Sequence, residues 1–222
     1  LDYARQDVRL LPRLDSLVGA LGYFTAIQHI VQCDIRTTPY ITKVFPILAL
    51  RDEEFKEKIP SKPQFEKVDY QGADIMEVEA GVHKNIGIMD IKAMYHSNIK
   101  KHNICWTTLD GEGVDCGNGV KFAQGNGLLG RQMDKMTVLR NRYKGLMKSA
   151  ETENERKMYD ALQYATKSLV ASMYGVAGDS KCGFYHPDIA AAITFTSRQT
   201  LFELRNIANE LGCKVRYGHT DS

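Results

Sequence analysis

The chain has 222 residues, of which 43% are apolar and 25% charged, with a formal net charge of +2, so it is globular material for one large or two small domains. Balanced charge gives no whole-chain case for a nucleic-acid partner, and no apolar run is long enough to cross a bilayer. Five cysteines without a CxxC pair form no disulfide framework and fit a reducing compartment.

From Leu10 to Val31, apolar residues recur at helical spacing and predict one or two helices, with "LDYARQD" leading into them. Residues 52–71 are charged, carry Pro60 and Pro63, and read as an exposed connector. "ADIMEVEAGVHKNIGIMD" reads as two short strands around Gly81, the second covering residues 86–89. The Gly-rich "LDGEGVDCGNG" reads as a hairpin or loop. Two helices, roughly 128–149 and 153–174, are joined by the polar "SAETEN" and predict an antiparallel helical hairpin. Pro187 and Gly212 bracket a last long helix, which leads into a strand over 215–217 and the turn "GHTDS".

Charge is uneven along this path. Between Lys121 and Lys148 there are seven Lys or Arg residues against the single acid Asp134. Arg140, Lys144 and Lys148 share one helical face, and Lys167, Ala171 and Tyr174 share another. Such faces are commonly solvated stripes. Asp90 closes the apolar run "IGIM", and Asp221 sits in the turn after "VRY". If those two strands were neighbours, both carboxylates would emerge at one sheet edge and could share divalent cations, with the cationic faces beside them suited to a nucleoside triphosphate. Each acid alone also fits a solvated turn. His102, Cys105 and Cys116, or Cys182 and His186, are rival zinc ligands whose spacing fits no paired-ligand rule.

Six segments in this order resemble the family B (alpha-like) DNA polymerases. "DIKAMYHSNIKKHNICWTT" from Asp90 resembles motif A, "KSLVASMYG" from Lys167 motif B, and "YGHTDS" from Tyr217 motif C. "GLLGRQMDKMTVLRNRYK" resembles the fingers segment, "YQGA" at 70–73 the YxGG/A element, and "YARQD" at 3–7 the third exonuclease motif. The resemblance implies an α+β fold: a partial polymerase palm, an antiparallel sheet with packed helices, carrying a helical-hairpin fingers insertion. The implied division is the end of a 3′-5′ exonuclease domain at 1–30, a connector at 31–85, palm at 86–126, fingers at 127–178 and palm again at 179–222. It also implies that the chain is a fragment, ending inside motif C and inactive alone.

The implied activity is template-directed nucleotidyl transfer from dNTP to a primer 3′-hydroxyl, with two Mg²⁺ ions, or Mn²⁺ in their place. Asp90, Asp221 and the backbone carbonyl of Ile91 would hold the metals. Arg140, Lys167 and Lys144 would hold the triphosphate, Tyr95 would gate the sugar and Tyr174 would line the nascent base pair. Tyr70 and Gly72 would contact template, while Tyr3 and Asp7 would be an exonuclease remnant. The partners implied are primed template DNA, dNTPs and a processivity factor, with no membrane, in the cytoplasm if the source is prokaryotic or a phage. The sequence departs from the family pattern at Ala93, His96, Ala171 and His219, which opens the alternative of a degenerate domain that only binds primed DNA. His219 replaces the first motif C aspartate with a group that can titrate near neutrality.

Overall fold

A computed structural model describes residues 2–60, 62–76 and 78–220. Asp221 therefore lies outside the described residues. The chain divides into two compact units, one of residues up to Lys56 together with Gln132–Met173, the other of Glu57–Arg131 and the residues from Tyr174 onward.

The first unit opens with α1 (Asp2–Val18) and α2 (Ala20–Val31). Gly19 separates them in the left-handed region at φ +70°, and the Asp15 carboxylate accepts from the Leu21 amide at 2.7 Å, covering a donor the new helix leaves free. α3 (Ile41–Leu50) follows, apolar on most sides, and buries Val44, Phe45, Leu48 and Ala49. α6 (Glu153–Met173) starts from a capping box in which Thr152 Oγ1 accepts from the Glu155 amide at 3.2 Å and Glu155 Oε2 accepts from the Thr152 amide at 3.0 Å. Its buried stripe of Leu162, Ala165, Thr166, Leu169 and Met173 faces α2, which contributes Ala26, Ile27 and Val31.

Below α3, the side chain of Asp52 is 1% exposed and pairs with Lys135 Nζ at 2.9 Å, while Gln132 Nε2 donates to it at 2.7 Å. Lys135 is half exposed and can rehydrate when its partner goes, whereas the buried Gln132 amide cannot. Asp52→Ala is therefore expected to cost about 1–3 kcal/mol, the penalty of an orphaned buried donor, and not the larger loss of a fully buried ion pair. Chemical denaturation of the purified chain measures it.

The second unit holds α4 (Met94–Lys101), the two-stranded antiparallel sheet of β1 (Leu109–Asp115) and β2 (Lys121–Phe122), the first residues of α5 (Leu128–Lys148), and α7 (Pro187–Glu210). Asp115 Oδ1 accepts from the Gly117 and Gly119 amides at 2.7 and 2.9 Å and shapes the hairpin turn. Ile99, Ile104, Phe122, Leu128, Leu129, Ile189 and Ile193 are essentially solvent-free and form the core. α4 packs on α7, with Thr200 Oγ1 donating to the buried Asn98 at 3.2 Å. Trp106 Nε1 donates to the Phe184 carbonyl at 2.7 Å.

The fold is α+β, as the resemblance implies, and the helices over 128–148, 153–173 and 187–210 lie where periodicity predicts. Among the described residues, the two strands read around Gly81 do not form, apart from a single bridge at Ile75. Residues 78–93 carry no strand, and Val78, Val82, Ile86, Ile88 and Met89 are all more than half exposed. Nor do residues 215–217 form a strand. The C-terminal turn instead makes a single antiparallel bridge, Ile75 to His219. Residues 218–220 thus meet 74–76, and among the described residues no bridge joins 86–89 to 215–217, so the condition that those two runs pair as strands is not met.

Candidate functional site

In the second unit, Tyr95 lies on the first turn of α4, entered through Ala93 in the left-handed region at φ +54°. Left-handed backbone is disfavoured for a residue with a Cβ, so the turn that follows Asp90 is held by its surroundings. The Tyr95 ring stacks on Tyr174 with centroids 4.3 Å apart and planes 6° from parallel. Tyr174 opens a 3₁₀ turn (Tyr174–Val176) immediately after α6.

Beside this stack is a cleft of about 250 Å³ lined by Tyr70, Tyr174, Gly178, Asp179, Ile193 and Thr194 among others. A side chain at Gly178 would overlap the Tyr70 hydroxyl, so the glycine makes room for the phenol. Burial pushes the Tyr70 hydroxyl above the ordinary phenol range, and the neighbouring Tyr185 and Tyr174 add to this, keeping it neutral. The loop after Tyr70 is tied to α7. Arg198 Nη1 donates to the Gln71 and Gly72 carbonyls at 2.7 and 2.6 Å, and Thr194 Oγ1 donates to Gln71 O at 2.8 Å.

The same segment then meets the C-terminal turn. The Met76 amide donates to Gly218 O at 2.9 Å and the Thr220 amide to Asp74 O at 3.1 Å. Glu79 pairs with Lys214 Nζ at 2.8 Å and Arg216 Nη1 at 2.5 Å. The Lys214 hydrogen bond, then that of Arg216, holds the Glu79 carboxyl down at about 2. Asp90 is exposed, Ile91 half-buried and His219 exposed.

The remaining sequence-predicted residues belong to the first unit. Arg140 on α5 is half-buried, and its Nε is buried without a hydrogen-bond partner among the described residues. Lys144 on α5 and Lys167 on α6 are exposed, as are Tyr3 and Asp7 on α1. Of the rival zinc ligands, Cys105 Sγ accepts from the Leu129 amide at 3.2 Å and the Cys116 thiol donates to Asn118 Oδ1 at 2.9 Å. Among the described residues, no group of three or more His, Cys, Asp or Glu could hold a metal ion. The structure therefore brings Tyr95, Tyr174 and Tyr70 together. Sequence reasoning missed Gly178, Thr194, Arg198 and Glu79. The i, i+4 spacing of Thr194 and Arg198 on one face of α7 was the available signal.

Residues 41–222 match the sequence profile of DNA polymerase family B. The chain is 32% identical over 178 residues to the catalytic subunit of DNA polymerase alpha from Saccharomyces cerevisiae, covering 78% of this chain and 12% of that protein. It is 31% identical over 165 residues to DNA polymerase 1 of Sulfurisphaera ohwakuensis, covering 69% of this chain and 19% of that one. The fold is similar to the family B DNA polymerase of the hyperthermophilic archaeon Pyrobaculum calidifontis, with TM-score 0.75 and 21% identity over 99% of this chain and 30% of that structure. The chain belongs to DNA polymerase family B. It spans about an eighth to a fifth of the length of the yeast and Sulfurisphaera relatives.

Proposed function

We propose that this chain is the central part of a template-directed DNA polymerase, which transfers a nucleotidyl group from a dNTP to a primer 3′-hydroxyl. The observation that carries this reading is the meeting of three tyrosines from three separate motifs: Tyr95 stacked on Tyr174, with Tyr70 and Tyr174 lining one cleft. Stacked rings give a rigid apolar wall against which a sugar and base can be sized. In this reading 86–126 and 179–222 are palm, 127–178 are fingers, 31–85 is connector and 1–30 ends an exonuclease domain.

The Asp90 carboxylate and the Ile91 carbonyl offer hard oxygen donors of the kind that suits Mg²⁺, which keeps several waters and accepts phosphate oxygens to complete its shell. With Asp221 they would hold two such ions, Mn²⁺ serving in their place. When bound, the ions would lower the pKa of the 3′-hydroxyl and stabilise the leaving pyrophosphate.

The chain's own residues supply position and charge. Arg140, Lys167 and Lys144 neutralise the triphosphate, and the unpaired buried Nε of Arg140 is a donor still seeking an acceptor. Tyr95 blocks the space that a 2′-hydroxyl needs. Tyr174 lines the nascent pair. Tyr70 and Gly72, with the loop fastened by Arg198 and Thr194, hold the template strand. Primed template DNA and dNTPs are the partners, with a processivity factor beside them.

Single-nucleotide incorporation by the full-length protein on a primed template tests this. Extension with only the complementary dNTP, and only with a divalent cation, is the expected result. Tight binding of primed DNA without any incorporation would instead identify a degenerate, DNA-binding domain.

A further inference from the structure

The turn that precedes Asp221 is held to the rest of its unit through a short ladder: one bridge, Ile75 to His219, and the two amide bonds of Met76 and Thr220. A ladder this short specifies its register weakly, and a slip of one residue moves the chain by about 3.3 Å. Glu79 stands just beyond the ladder and meets both Lys214 and Arg216. These two cations are two residues apart in a non-helical stretch, with Val215 between them and Tyr217 after them. A slip would bring Val215 or Tyr217 to the carboxylate in place of the cations.

We propose that Glu79 is a positioning residue, whose paired contacts with Lys214 and Arg216 fix the register in which the C-terminal turn meets the segment that follows the YQGA loop. That segment is fastened at its other side, where Arg198 and Thr194 on α7 hold the Gln71 and Gly72 carbonyls. Glu79 thus transmits a fixed position from α7 to residues 218–220. Half-exposed ion pairs contribute little to stability, so the contribution of Glu79 is alignment. The catalytic consequence rests on the polymerase reading, because misplacing a catalytic group by about 1 Å can cost about a hundredfold in rate.

The test measures amide hydrogen exchange of residues 74–76 and 218–220 in the full-length protein, together with single-turnover incorporation. Glu79→Lys is expected to speed exchange in both stretches and to slow incorporation by about a hundredfold, with the melting temperature and the dNTP KM nearly unchanged. Adding Lys214→Glu and Arg216→Glu, which recreates one cation between two facing acids with signs exchanged, restores both readings. Glu79→Gln, which introduces no repulsion, shows a smaller loss in the same two stretches. Unchanged exchange in Glu79→Lys, or failure of the charge exchange to restore it, overturns the proposal. If exchange responds as stated while the unsubstituted protein incorporates no nucleotide, the register device stands and the polymerase reading falls.

Discussion

Asp90→Asn in the full-length protein is expected to lower single-nucleotide incorporation on the order of a thousandfold while leaving affinity for primed DNA almost unchanged. Asn keeps the shape of the side chain and removes the charge that a metal ligand must supply. Asp90 is exposed and outside any helix or strand, so the substitution should cost no more than about 0.5 kcal/mol of stability. A loss of rate would therefore report chemistry and not folding. Asp221→Asn should act in the same way, whereas His219→Asp, which returns an acid next to the proposed metal ligands, should preserve or raise the rate. Rapid-quench incorporation measures all three. Parent-like turnover in Asp90→Asn, with Asp221→Asn equally unaffected, would remove both carboxylates from the site.

Tyr95→Ala carries the second large expectation. Its ring is fixed by the stack on Tyr174 at 4.3 Å, and a fixed ring rejects a 2′-hydroxyl by collision, with no hydrogen bond required. Losing the stack should cost about 0.5–1.5 kcal/mol beyond the buried area, a modest fall in stability. The preference for deoxyribonucleotides, in contrast, should fall by about a hundredfold as incorporation of ribonucleotides rises. Tyr95→Phe keeps the ring and should keep the preference. The ratio of incorporation efficiencies for matched ribo- and deoxyribonucleoside triphosphates decides the matter, and a parallel loss of both activities would mark Tyr95 as core packing alone.

Helices were the legible part of this fold because their signal is local. α6 announces itself by a capping box and an apolar stripe, and α7 by Pro187 and by buried Ile189, Ile193 and Leu201. α3 escaped because it has no polar face to set a period, and because Pro46 within it reads as a breaker although it forms part of a helix. The failures at 86–89 and 215–217 have a different cause. A strand exists only through its partner, and an apolar run does not name one. Ile86, Ile88 and Met89 stay exposed, while the residues that do pair with the C-terminal turn, 74–76, include the polar Asp74. Motif residues such as Tyr95, Tyr174 and Tyr70 were legible through the resemblance to the family's motifs, which names them. Gly178 and Glu79 were not, because each matters only through a residue far away in sequence, Tyr70 in one case and Lys214 with Arg216 in the other.

Trp106, whose indole donates to the Phe184 carbonyl, is the sole tryptophan of the chain, and it belongs to the second unit. Its emission is accordingly a single-site optical reporter for that unit. Far-ultraviolet circular dichroism is weighted toward the first unit, which contains α1, α2, α3, α6 and most of α5. The polypeptide thus carries two spectroscopic channels that view different parts of it. Melting followed in both at once distinguishes a single cooperative transition, where the curves superimpose, from successive ones, where they separate.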